Sequence, residues 1–131
     1  MYKFSKSSKE KLETVDEKLQ TLFTAVLSMG IFDITIIEGK RSLERQKQLV
    51  KEGKSKTLES KHLTGKAIDV AIFKNNTIDW NDTKAYYVLV GIVLTLAKQL
   101  GISIRSGSNW DRDTDYNDQN FNDLVHFELD E

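Results

Sequence analysis

The chain has no cysteine, no proline and only two histidines among its 131 residues. Without cysteine there is no disulfide framework and no thiolate metal site. Charge of one sign is lacking too. A net charge of −1 gives no electrostatic hold on nucleic acid or an anionic membrane, and no basic face is interleaved with aromatic residues. Long apolar runs are absent: the most apolar segment, Ala85 to Ala97, falls short of the roughly 20 residues a membrane span needs and reads as a buried core helix. The N-terminus, M-Y-K-F-S-K-S-S-K-E-K, has no apolar stretch of the kind a secretory signal carries. The missing proline has no functional reading of its own.

What is present suits one soluble domain over residues 1–131, expected to be a monomer. The chain is 39% hydrophobic and 30% charged, ordinary for a globular protein and long enough for a core of its own. No repeat, linker or low-complexity tract interrupts it. Ser8 can cap a helix from about Lys9 to Met29, with Leu12, Val15, Leu19, Leu22, Phe23 and Val26 at helical spacing. Asp33 to Ile37 reads as a strand, and Ser42 opens a short helix ending near Gly53. Residues 54–65 are polar and irregular. Lys66 to Phe73 reads as a strand followed by a turn at Asn75-Asn76. Asp82 or Thr83 opens a long helix to Leu100, stopped by Gly101. Ile102 to Arg105 and Leu124 to Leu129 are the last strands, on either side of a loop over 106–122. The order predicts an α+β fold: a small, mostly antiparallel sheet with helices packed on one face.

The stretch S-K-H-L-T-G-K-A-I-D-V-A-I-F, residues 60 to 73, holds one histidine and a carboxylate inside an apolar run. Side chains alternate across a strand. Ile68, Val70 and Ile72 therefore share the core face, and Asp69 lies on the other with Ala67, Ala71 and Phe73. In the last strand Val125, Phe127 and Leu129 face the core, so His126 and Glu128 turn away from it. In one sheet, Asp69 and His126 would share the face opposite the helices, with His62 able to turn back toward it through Thr64-Gly65. Two imidazoles and a carboxylate are a set zinc favours, with a fourth position left to water. The plainer alternative makes His62 a surface residue, His126 a strand-face residue and Asp69 a salt-bridge partner. Glu128 could orient a ligand, although a solvated strand residue is the simpler reading. Asp123, three residues before His126, would reach the site from the loop; a carboxylate there can take a proton from water and return it to a leaving amine, or simply form an Asx turn.

These segments resemble a known family. S-K-H-L-T-G-K-A-I-D is similar to the S-x-H-x-x-G-x-A-x-D motif of the zinc peptidases that cut peptidoglycan stem peptides, the D-Ala-D-Ala carboxypeptidases and L-Ala-D-Glu endopeptidases of the LAS group. D-L-V-H-F-E-L resembles their D/E-x-x-H motif; Gly39-Lys40-Arg41-Ser42 with Gln46 resembles G-x-R-S/T…Q; Gly107-Ser108-Asn109-Trp110 resembles G-x-x-W. The nearest likeness is to single-domain phage endolysins of the L-alanyl-D-glutamate peptidase type, without a separate wall-binding domain.

The resemblance implies that His62, Asp69 and His126 bind Zn2+ and that Asp123 is the general base. It further implies that Arg41 holds or polarises a substrate carbonyl or carboxylate and that Ser60 supports the site by hydrogen bonding. Trp110 would wall the cleft or belong to the core. Val125 departs from the pattern, standing where the family often has proline. The implied partner is the peptidoglycan stem peptide, with no nucleic acid and no membrane. The implied location is the host cytoplasm, with the wall reached through a separate release system. Hydrolysis of D-Ala-D-Ala and a non-catalytic zinc-containing binding module are the alternatives. Asp111, Asp113 and Asp115 alternate as in calcium loops, without the glycine and glutamate of the full EF-hand. Because some phage members of the family are regulated by calcium, Ca2+ as a regulator stands beside a solvated acidic loop.

Overall fold

The computed structural model describes residues 1–53, 60–107 and 124–130. These contain helices α1 (Lys6–Leu12), α2 (Glu17–Ser28), α3 (Leu43–Lys51) and α4 (Thr83–Leu100), and a 3₁₀ turn at Lys61–Thr64. The strands are β1 (Ile34–Glu38), β2 (Ala67–Lys74), β3 (Thr77–Ile78), β4 (Ile104–Ser106) and β5 (His126–Leu129). They form one open sheet in the order β1-β2-β5-β4, with β3 attached to β2 and every pairing antiparallel. The fold is α+β, as expected.

Helical periodicity builds the core. Leu19, Leu22 and Phe23 of α2 and Tyr86, Leu89 and Val93 of α4 are fully buried against Ile36, Ile68, Val70, Phe127 and Leu129 of the sheet. Phe23 and Phe127 meet with ring centroids 5.4 Å apart, within the range of favourable tilted aromatic pairs. The Tyr86 hydroxyl enters this core already satisfied: it donates to the Asp79 carbonyl (2.6 Å) and accepts from the Ile72 N–H (3.0 Å).

Several helix ends follow the chemistry of their residues. Ser42 and Asp82 cap α3 and α4 by accepting from the Arg45 and Ala85 N–H groups, and Gly101 closes α4 at φ 72°. Asn75 and Asn76 both adopt left-handed backbone, and Lys74 pairs with Thr77 across them. This two-residue hairpin turn adds the short β3, which propensity alone did not predict.

The first helix differs from expectation. It breaks at residues 13–16 into α1 and α2, and its cap is Ser5, whose hydroxyl accepts from the Ser8 N–H. Ser8 is instead buried: its Oγ hydrogen-bonds Thr35 Oγ1 and accepts from the Ile36 N–H, so α1 seals the free edge of β1. The break arises because Thr14 and Asp16 offer local hydrogen bonds that compete with the helix. Asp16 caps α2 through the Lys18 N–H. The corner this makes grips two loops: Thr14 Oγ1 accepts from the Lys40 N–H at 2.9 Å, and the Asp16 N–H donates to the Gly65 carbonyl at 2.9 Å.

Lys66 adds an ion pair to Asp16 at 2.6 Å. That hydrogen bond, and then the Lys18 N–H, hold the Asp16 carboxyl below its ordinary value. A folded value below the unfolded one stabilises the fold above about pH 4, and the contribution fades as acid titrates the group. Asp16→Asn keeps an equally good cap and removes the charge. Its melting temperature is expected below the parent's at neutral pH, the gap narrowing as the pH falls below about 4. Thermal melts across that range check this; a gap independent of pH would count against the ion pair.

Candidate active site

The register of the sheet sets out the site. Asp69 of β2 lies directly opposite His126 of β5, and on its other side opposite Glu38 of β1, where the β1 register shifts. Two pairs along, on the same face, Ala67 lies opposite Glu128, and Glu128 opposite Arg105 of β4. This face is not simply open. Ala67 and Ala71 are fully buried, and the 3₁₀ turn lies over it with His62 only 2% exposed.

His62 reaches the face because its turn is held at several points. Ser60 caps the turn, its Oγ accepting from the His62 N–H at 3.2 Å. Gly65 ends it in left-handed backbone at φ 73°, a conformation that suits glycine. The His62 carbonyl accepts from the Arg41 N–H at 2.8 Å. The ring Nδ1 lies 2.9 Å from the Gly39 carbonyl. A carbonyl only accepts, so Nδ1 carries a proton, and Nε2 faces Asp69.

Gly39 is needed for close approach. A Cβ there would lie 2.4 Å from both the Lys11 carbonyl oxygen and Thr14 Oγ1, inside the α1–α2 corner. Gly39→Ala is expected to cost about 1–3 kcal/mol as overpacking. It should also push the carbonyl away from His62, weakening metal binding beyond any loss of stability. Melting temperature and metal affinity, measured together, test this.

Asp69 Oδ1 lies 3.2 Å from His62 Nε2 and 2.9 Å from His126 Nδ1, and the two rings meet edge to face at 5.1 Å between centroids. Burial alone would raise the Asp69 pKa; hydrogen bonds to His126 and His62 overcome it and hold the carboxyl well below the ordinary carboxylate range. Burial likewise opposes charge on His126, but hydrogen bonds to Asp69 and then Glu128 push it up to about 9. The three residues offer ligand atoms within 4.8 Å of one another and form a group that could hold a metal ion. The fit is chemical as well as geometric: with Nδ1 held by the Gly39 carbonyl, His62 turns Nε2 to the Asp69 carboxylate, His126 brings a second ring nitrogen to the same oxygen, and one cation would engage all three.

Glu128 was expected to be solvated; it is 8% exposed. β5 is buried on both faces, with Phe127 and Leu129 in the core and Glu128 under the side chains of Lys61 and Arg105. Glu128 Oε1 accepts from His126 Nε2 at 3.0 Å, and its Oε2 lies 3.4 Å from Lys61 Nζ and 3.7 Å from an Arg105 terminal nitrogen. Strand parity with His126 was the signal for this residue. Arg41 is not a free surface arginine. Its side chain is 10% exposed, with Nε paired to Glu38 and a terminal nitrogen donating to Gln46 Oε1 at 2.6 Å. Glu38 escaped notice because its role depends on the β1–β2 register. Trp110, Asp111, Asp113, Asp115 and Asp123 lie outside the described residues.

No helix among the described residues is long and apolar enough to cross a membrane. In overall structure the chain is similar to the crystal structure of the Serratia marcescens L-Ala D-Glu endopeptidase ChiX. The TM-score is 0.80 at 31% identity, covering 96% of this chain and 88% of that one. In sequence it is 36% identical over 121 residues to the L-alanyl-D-glutamate peptidase of Escherichia phage T5, covering 90% of this chain and 88% of that protein. The sequence profile of the phage L-alanyl-D-glutamate peptidases matches residues 1–130, and the chain belongs to that family of enzymes.

Proposed function

We propose that the chain is a zinc-dependent endolysin that hydrolyses the L-Ala–D-Glu amide of peptidoglycan stem peptides, with His62, Asp69 and His126 as the zinc ligands. The observation that carries this is the convergence of those three side chains, within 4.8 Å, in a chain of this family. When bound, zinc supplies Lewis acidity toward an amide carbonyl and toward water. Asp123 takes the proton of the attacking water and passes it to the leaving nitrogen. One carbon–oxygen bond forms, the carbon–nitrogen bond breaks, and the products are an alanine carboxylate and a free glutamyl amine.

Arg41, braced by Glu38 and Gln46, supports a substrate carbonyl or carboxylate through its remaining donors. Ser60 acts through the His62 turn, and Trp110 walls the cleft. Acting on the wall from inside the host requires a separate release system. A regulatory calcium at Asp111, Asp113 and Asp115 belongs to the same proposal; a calcium titration that moves neither melting nor activity would remove it.

Digestion of purified peptidoglycan, followed by mass spectrometry, tests the reaction. Release of stem peptides beginning at glutamate is the expected result. Loss of terminal alanine alone would mean a carboxypeptidase, and zinc binding without any digestion would mean a binding module.

A further inference from the structure

We infer that Glu128 is a positioning residue, fixing the His126 ring so that Nδ1 faces Asp69 and His62; this rests on the zinc reading above. An imidazole can be turned over about its Cβ–Cγ bond, exchanging each nitrogen for a carbon. Here Asp69 holds Nδ1 at 2.9 Å and Glu128 holds Nε2 at 3.0 Å, so the turned ring would lose both hydrogen bonds. A carboxylate on the far nitrogen also sets the tautomer that leaves Nδ1 free to ligate and makes it a better donor.

Glu128 is itself fixed. A buried carboxylate needs compensating charge, and Lys61 and Arg105 flank its other oxygen at 3.4 and 3.7 Å. Lys61 precedes His62 in the 3₁₀ turn and also donates to the Leu129 carbonyl. Glu128 therefore ties the turn carrying one histidine to the strand carrying the other, and so sets their spacing.

Zinc affinity by chelator competition and the visible spectrum of the cobalt-substituted protein test this in the full chain. Glu128→Met keeps the side-chain length without an acceptor and is expected to weaken zinc binding by about 10–100-fold and to alter the cobalt bands. Glu128→Gln still offers an oxygen to Nε2 and is expected to stay nearer the parent in both readouts. Unchanged affinity in Glu128→Met would overturn the inference. Should that variant not fold, imidazole NMR of the zinc-loaded parent decides: a slowly exchanging His126 Nε2–H is expected, and a freely exchanging one overturns it. His126→Ala is the control. If the parent binds no zinc, or His126→Ala binds it normally, the zinc reading falls and this inference with it. If the control behaves and Glu128→Met is unchanged, only the inference about Glu128 falls.

Discussion

His126→Ala is expected to bind zinc more than about 100-fold more weakly than the parent, beyond the 10–100-fold typical of losing an outer-shell partner, and to digest no wall. The ring occupies the middle of the site, between Asp69 at 2.9 Å and Glu128 at 3.0 Å. Its removal leaves Asp69 with one imidazole and no third ligand. It also leaves two carboxylates on one face without the group between them. Lys61 and Arg105 still accompany Glu128, but the ring was a hydrogen-bond partner of both acids. Stability and binding therefore both suffer, and melting of the metal-free variant must be measured beside its zinc affinity. A folded His126→Ala protein with parental zinc affinity would end the assignment of this metal centre.

That assignment was open to a reading of the sequence because period-two alternation leaves little freedom. Asp69 could avoid the core only by facing the side His126 also faces, and the pairing of β2 with β5 then brought them directly opposite each other. The caps at Ser42, Asp82 and Gly101 were legible because each is decided by local hydrogen bonding or backbone shape.

What stayed hidden depended on distant partners. The apolar spacing Leu12, Val15, Leu19, Leu22 runs unbroken through the corner between α1 and α2, and all four residues are indeed buried. The pattern records which side faces the core, not whether the axis bends. The bend is fixed by Gly65, Lys40 and Lys66, some 25 to 50 residues away in sequence. Glu128 looked solvated because parity says which way a side chain points but not what covers it. Glu38 could be linked to Asp69 only once the β1 register was known, and its pairing with Arg41, three residues on, follows from the path of the loop between them.

Asp123→Ala carries the second large effect: turnover on a stem peptide is expected to fall by about 10²–10⁴-fold, the usual contribution of a positioned general acid or base, with zinc affinity retained. The separation follows from where the ligands are anchored. Leu124 and Val125 are buried, and the Val125 carbonyl accepts from the Val70 N–H at 2.8 Å. Packing and this bond fix the backbone ahead of His126, where the family often has proline, so loss of the neighbouring carboxylate leaves the ligand strand in place. Asp123→Asn sharpens the test, because the amide keeps the size and can hydrogen-bond but cannot accept the proton; its turnover should fall nearly as far. Zinc affinity, kcat and KM measured on both variants separate the roles. A drop in zinc affinity would make Asp123 a structural or ligating residue, and unchanged hydrolysis with zinc bound would place the proton transfer on another group.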